Sequence, residues 1–543
     1  MPSNGDNHAY DMDPLHPVTK RPESQILLGY GHAALRSSLD FAASQINFDA
    51  YHLGTYQHSP RAVNAIQLTA FGRSMLDHPH YVRNRLRNLN GATYSWNTVT
   101  VNGLNQIPSS IDGLSQHRGD LTVKLSPITD PSGSGGDWVV KGGDITGFWD
   151  TGGVSAIESD GYRAYYPLTQ PGGFSRMVVH NTMDTDNPYT IDVFRVEGGE
   201  KHEYVLHSDT QTDFGVFFGE GVESITQIPE EEPVPDPTCP YGFSADDSQW
   251  RDVFTSRKEG VVRGGRPYEI EFRADCREDS GNILRCEDGR KPVLRVWGVN
   301  GDGYGDQNTT LLSGQVPHNY REYEDSRRSG WSGCDMDVLD PITRYDQGFV
   351  AVKKVKQSEV TVALLRSLFI HVLEPKRDAA APEAANGIKS VERVPLRDGD
   401  GENDDVVALT ITKNDGRKDD VIIRLSPGTG GFEATLPLAH PVMPEIRTLG
   451  GEQVLPEGGH VLLKSEAMNA SSTILIGGNS EGNVIEGFFS EVGQDNHDEY
   501  PWYFIATTPI VTTDNNRLSG QHVLVALGSY APSTVSKRRG VIS

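Results

Sequence analysis

The sequence predicts an all-β protein, a large antiparallel β super-sandwich followed by a smaller C-terminal β-module. Short runs rich in Val, Ile, Thr, Tyr and Phe recur along the 543 residues, and such residues suit a pleated, half-buried surface. The 58 glycines and 32 prolines place turn dipeptides between those runs. Long stretches with the periodicity of an amphipathic helix are almost absent. So many strand signals at short spacing imply a large sandwich rather than a small barrel. The length allows two or more domains.

Residues 1–24 read as a flexible, polar lead-in without the apolar core of a signal peptide. Residues 25–375 hold the super-sandwich, interrupted at 228–237 by the acidic, proline-rich connection IPEEEPVPDP. Residues 376–543 form the C-terminal β-layer or module, with strand runs such as HVLLKS, STILIGG and WYFIATT. Inside the sandwich, residues 64–71 and 96–101 are expected as strands. In the second, Asn97, Val99 and Val101 alternate with Trp96, Thr98 and Thr100, and Asn102-Gly103 closes it with a hairpin signal. YRAYYPL, FSRMVVHN, YTIDVFRVEGG and KHEYVLHS follow as further strands. Residues 300–347 read as a long polar loop, and loops of that length in a compact domain are usually functional or mobile.

A formal net charge of −25 disfavours non-specific contact with nucleic acid or an anionic membrane. No run reaches the roughly 18 apolar residues of a membrane span. Cys276 and Cys286 flank CREDSGNILRC, where a cross-strand disulfide and free thiols are both open readings; Cys239 and Cys334 complete the set. The absence of any CxxC pair argues against a cysteine-rich zinc site.

Several strings resemble catalytic or metal motifs. Gly478-Asn479-Ser480-Glu481-Gly482 has G-x-S-x-G form, but a strand run rather than a helix follows it, so it reads as a hairpin turn. The acidic run at 398–405 lacks EF-hand spacing and reads as a solvated turn between strands. Asp77, His78 and His80 lie within four residues and offer candidate metal ligands, although Pro79 interrupts a regular strand there. His58, in TYQHSPRA, precedes a cationic cluster of Arg73, Arg83, Arg85 and Arg87. That pattern reads either as a solvated basic loop or as a carboxylate or sulfate clamp beside a general base.

HSPRAVNAIQLTAFGRSMLDHPHY, followed by SWNTVTVNGLNQ, resembles the sandwich region of heparinase II/III-like and oligoalginate-lyase-like polysaccharide lyases. YRAYYPL with FSRMVVHN, YTIDVFRVEGGEKHEYVLH, and SLFIHVLEP with IKSVERVPL extend the resemblance over about residues 26–430. It implies β-elimination at a uronic acid, an acidic polysaccharide or oligosaccharide as partner, and an extracellular or periplasmic location. It puts His58 at the first, catalytic histidine of the family's H-x-H pair and Tyr81 at the tyrosine after its L-x-D turn. Arg73, Arg83, Arg85 and Arg87 then bind acidic sugars. Family members carry a divalent metal; here Pro60 and Trp96 stand at two of its histidine positions, and the aspartate position falls at Asp77 or His78. The family's N-terminal α-helical toroid has no counterpart before residue 26. A non-catalytic carbohydrate-binding or structural β-sandwich derived from the family is the alternative.

Overall fold

A computed structural model of the chain describes residues 24–27, 31–37, 43–50, 61–78, 93–106, 142–150, 153–208, 213–229, 255–264, 266–275, 291–299, 308–318, 345–355, 365–378, 387–394, 397–398, 401–402 and 406–425, and further strands between 446 and 541. Its architecture is all-β and antiparallel. The first sheet is a meander of β1 (Gln25–Leu27), β2 (His32–Arg36), β3 (Gln45–Asp49), β4 (Ala65–Ala70) and β5 (Arg73–Leu76), in that order.

The middle sheet has eight strands. One half is β7 (Asp144–Asp150), β8 (Val154–Asp160), β9 (Phe174–Asn181) and β10 (Tyr189–Glu197). The other is β12 (Asp213–Phe218), β15 (Tyr268–Asp275), β16 (Val293–Gly298) and β19 (Arg366–Lys376), with β19 paired to β10 at the centre. The third sheet contains β6 (Val99–Val101), β11 (Lys201–His207), β13 (Glu223–Gln227), β14 (Thr255–Val262), β17 (Thr309–His318) and β18 (Tyr345–Val355). A fourth joins β20 (Ile388–Val394), β23 (Val406–Lys413), β24 (Lys418–Arg424), β27 (Gly459–Glu466) and β28 (Ser471–Gly477).

Two hydrophobic cores explain the layering. One face of the middle sheet (Ile157, Phe174, Phe194, Phe272) packs against the first sheet (Phe48, Ile66) and the third sheet (Tyr204, Val350). Its opposite face (Val179, Ile191, Val193, Ile370) packs against Val407, Ile411, Ile423 and Val461 of the fourth sheet. Covered on both sides, β8 and β9 are buried at every residue. Burying each such Val, Ile or Phe contributes about 1.5–3 kcal/mol.

Three segments differ from expectation. The strand expected at 96–101 begins only at Val99, because a 3-10 turn at Thr93–Ser95 and the Thr98 N–H donating to the Trp96 carbonyl curl the chain first. Asn102 and Gly103 do form the tight turn, both at positive φ, with the Leu104 N–H closing on Val101. YRAYYPL is a 3-10 turn at Tyr162–Tyr165 rather than a strand. The buried Asp160 carboxylate accepts the N–H groups of Tyr162 and Gly172, pinning the β8–β9 connection as a bend. Inside the expected loop at 300–347, β17 is a ten-residue strand between β14 and β18. Its Thr309, Leu311 and Ser313 are buried, so polar side chains occupy interior positions of the strand.

The acidic run after residue 397 is a hairpin of β21 (Arg397–Asp398) and β22 (Gly401–Glu402), and β25 (Ile446–Arg447) pairs with β26 (Gln453–Leu455). The four cysteines and the Gly478–Gly482 string lie outside the described residues.

Candidate functional site

Arg176, on β9, is fully buried and sits where three sheets meet. Its Nε and Nη2 donate to the two oxygens of Asp192 on β10, at 2.8 and 2.5 Å. Its Nη1 donates to the carbonyls of Asn64 and Asn97, at 2.5 and 2.7 Å. The Tyr204 hydroxyl on β11 donates to the second Asp192 oxygen at 2.5 Å. The Tyr204 ring stacks on His371 of β19, and Tyr268 of β15 meets His371 Nε2 at 2.8 Å.

A guanidinium cannot shed its proton, so in a buried site it needs a full set of acceptors. Burial pulls the Arg176 pKa down, but the Asp192 charge and hydrogen bonds more than restore it. Burial pushes the Tyr204 hydroxyl well above its ordinary value and His371 down to about 3. Arg176, Tyr204 and His371 therefore each stay in one protonation state near neutral pH. This is an anchoring network, and it draws together segments nearly 200 residues apart, as Arg176 and His371 show.

Next to that anchor lies the Trp96 neighbourhood. Asn97, one residue on, donates its amide to the carbonyls of Ile66 and Asp77, each at 2.9 Å, and accepts the His207 N–H at 2.6 Å. His207 Nε2 meets the Tyr94 carbonyl at 2.7 Å, and the His207 carbonyl accepts the Asp77 N–H. This clamp holds the end of β11 against both the 3-10 turn and the segment leaving β5. Burial, and then the neighbouring His78, push His207 down to about 4, so it is neutral in the folded protein.

The Trp96 indole packs in a small buried cluster with Ala62 and Ala65. The His78 ring stacks on it at a centroid distance of 3.9 Å. Asp77 is buried; its carboxylate accepts the His78 N–H at 2.9 Å and Gln67 Nε2 at 3.4 Å. Arg73 opens β5, half-buried, just past the positive-φ turn Phe71-Gly72. His58, His80, Tyr81, Arg83, Arg85 and Arg87 lie outside the described residues.

The structure thus brings together Asp77, His78 and Trp96, positions that the family resemblance associates with a metal. They do not fit that group. An indole offers no ligand atom, and it lies against the His78 ring. Among the described residues no group of three His, Cys, Asp or Glu is arranged to hold an ion.

No family model and no curated protein sequence matches the chain. Solved structures do show a distant likeness. A heparinase III is 12% identical at a TM-score of 0.39, covering 74% of this chain and 42% of its own. The heparan sulfate lyase of Pedobacter heparinus is 13% identical at a TM-score of 0.38, covering 75% and 43%. A further heparinase III is 9% identical at a TM-score of 0.37. The chain spans less than half the length of each of these structures.

The anchoring residues escaped assignment in the sequence, although Arg176, Asp192, Tyr204, His207 and His371 all lie within the segments that carry the family resemblance. The signal was there, a charged residue inside otherwise apolar strand runs. FSRMV and TIDVF each place one ionisable side chain in a run that must be buried.

Proposed function

We propose that this chain is a polysaccharide lyase-like protein that cleaves a uronic-acid-containing glycan by β-elimination. One observation supports the reading above others. Trp96 clusters with Ala62 and its indole is stacked on by the His78 ring, so the described residues that border the two sequence segments carrying His58 and Tyr81 meet at one indole.

In the reaction, His58 as base takes the C5 proton of the uronate. The C5 electrons form the C4–C5 double bond, the bond from C4 to the glycosidic oxygen breaks, and Tyr81 gives that oxygen a proton. Negative charge builds on the carboxylate as the proton leaves, so cations must meet it. Arg73, with Arg83, Arg85 and Arg87, fills that role in a protein whose net charge of −25 would otherwise repel the substrate. No step needs a metal. Among the described residues no helix is long and apolar enough to cross a membrane; an extracellular or periplasmic location goes with the lyase reading.

The test is absorbance of the unsaturated uronate product with alginate, heparin, heparan sulfate and hyaluronan. Product should form on at least one of them, and His58→Ala should abolish it while leaving the thermal melt unchanged. Binding without product on the whole panel would make the protein a non-catalytic glycan binder. Normal turnover by His58→Ala would refute the base assignment.

A further inference from the structure

The first sheet has one face that enters the core, through Ala33, Leu35, Ile46 and Phe48 among others. Its other face carries half-exposed polar side chains around the buried Ala34 and Ala65. Strand register sets that face in rows: His32 beside Asp49, then Asn47 beside Gln67, then Arg36 beside Gln45. The row of His32 and Asp49 continues into Ala65, which packs in the Trp96 cluster. The face is therefore continuous with the candidate site.

At its head stands a short His–Asp pair, with His32 Nδ1 at 2.5 Å from Asp49 Oδ1. The His32 side chain keeps 36% of its surface exposed. Among the described residues its Nε2 meets no hydrogen-bond partner. The Asp49 hydrogen bond raises the His32 pKa above the ordinary histidine value, against the opposing effects of burial and of Arg36 on the same strand. Gln45 and Asn47, linked by a side-chain hydrogen bond, and Gln67 add amide groups that both donate and accept. When protonated, His32 is a cation oriented by a carboxylate beside a line of amides, and that arrangement matches a sugar carrying one oxyanion and several hydroxyls.

We propose that this face is a subsite for an acidic sugar unit. His32, oriented by Asp49, presents its Nε2–H to a carboxylate or sulfate oxygen, and Gln45, Asn47 and Gln67 take the hydroxyls. The inference rests on the reading of the chain as acting on acidic glycans, and it adds the residues that would hold a unit beside the reacting one. His32 has no role in the elimination step proposed for His58 and Tyr81.

Binding to the full chain can be measured by calorimetry with a polymannuronate tetrasaccharide, a heparan sulfate tetrasaccharide and the carboxyl-reduced mannuronate tetrasaccharide. The first carries carboxylates alone and the second carboxylates and sulfates, so tighter binding of the second points to sulfate as the favoured oxyanion. His32→Gln should weaken the acidic ligands roughly tenfold, the loss expected for one charged hydrogen bond, and leave the carboxyl-reduced ligand unchanged. His32→Arg should restore part of the loss. Asn47→Asp, which adds an anion to the same half-exposed face, should weaken the acidic ligands more than the carboxyl-reduced one, and it serves if His32→Gln does not fold. Unchanged acidic affinity in these variants, or equal loss for acidic and reduced ligands, overturns the subsite while leaving the lyase reading standing. Failure of the wild-type chain to bind any acidic ligand overturns both.

Discussion

Removing the Asp192 carboxylate is the sharpest perturbation the fold offers. It accepts two hydrogen bonds from Arg176 and one from Tyr204, all fully buried. In Asp192→Ala the guanidinium keeps only the Asn64 and Asn97 carbonyls and loses its counter-charge. Breaking a buried pair from one side costs about 3–5 kcal/mol, and orphaning a buried hydroxyl adds roughly 1 kcal/mol or more. A loss of about 4–6 kcal/mol compares with the roughly 5–15 kcal/mol by which a domain is stable. Asp192→Ala should therefore be close to unfolded at 25 °C. The double variant Arg176→Met with Asp192→Leu removes both charges and fills the space, and it should be more stable than Asp192→Ala alone. Urea unfolding followed by intrinsic fluorescence measures both. A loss under about 1 kcal/mol for the single variant, or a double variant that costs more than the single one, would refute the account of Arg176 as the charge-balanced anchor.

Acid should destabilise the fold through its buried histidines. Burial holds His180, His202 and His207 to about 4 and His371 to about 3. Their folded values lie below the unfolded value of about 6.5. Their contribution is thus complete above that value and is lost as pH falls through about 6.5 towards 4, at up to roughly 1.4 kcal/mol per pH unit for each. Asp160, raised by burial to about 6, works the other way, its contribution being lost as pH rises towards that value. His32, Glu269 and Glu374 are also raised, by smaller shifts, and act in the same direction as Asp160; the large shifts of the four buried histidines outweigh them, so the melting temperature should fall below about pH 6.5, and a flat or rising profile would contradict the burial of these rings. Gly298 faces Tyr268 across the β15–β16 ladder, and an added Cβ would lie 1.9 Å from the tyrosine ring. Gly298→Ala should displace Tyr268 from His371 at about 1–3 kcal/mol, read as a lowered melting temperature; a wild-type melt would show that the ring moves freely.

Much of the fold is legible in the chain because strand signals are local. The runs FSRMVVHN and YTIDVFRVE become β9 and β10 because their side chains suit a pleated surface whatever packs on it. Asn102-Gly103 makes its turn because both residues tolerate positive φ. The misreadings share a cause, since each depends on distant partners. TTLLSGQV looks polar, yet β14 and β18 enclose it as a strand. SWNTVTV alternates cleanly, yet Asn97 is held out of strand geometry by Ile66, Asp77 and His207. YRAYYPL has strand composition, yet the Asp160 carboxylate bends it.

The site divides in the same way. Sequence alone determined which residue types stand near one another along residues 58–87, and the chemistry that histidine, tyrosine and arginine can perform there. Tertiary structure decided that the His78 ring lies on Trp96, and that His32 is turned by Asp49 on the next strand. Only it could bring Arg176, Asp192, Tyr204 and His371 to one buried point. The physical reason is that composition and periodicity act over a few residues. The demand that every buried charge find its counter-charge, and every buried donor its acceptor, is met across the whole chain.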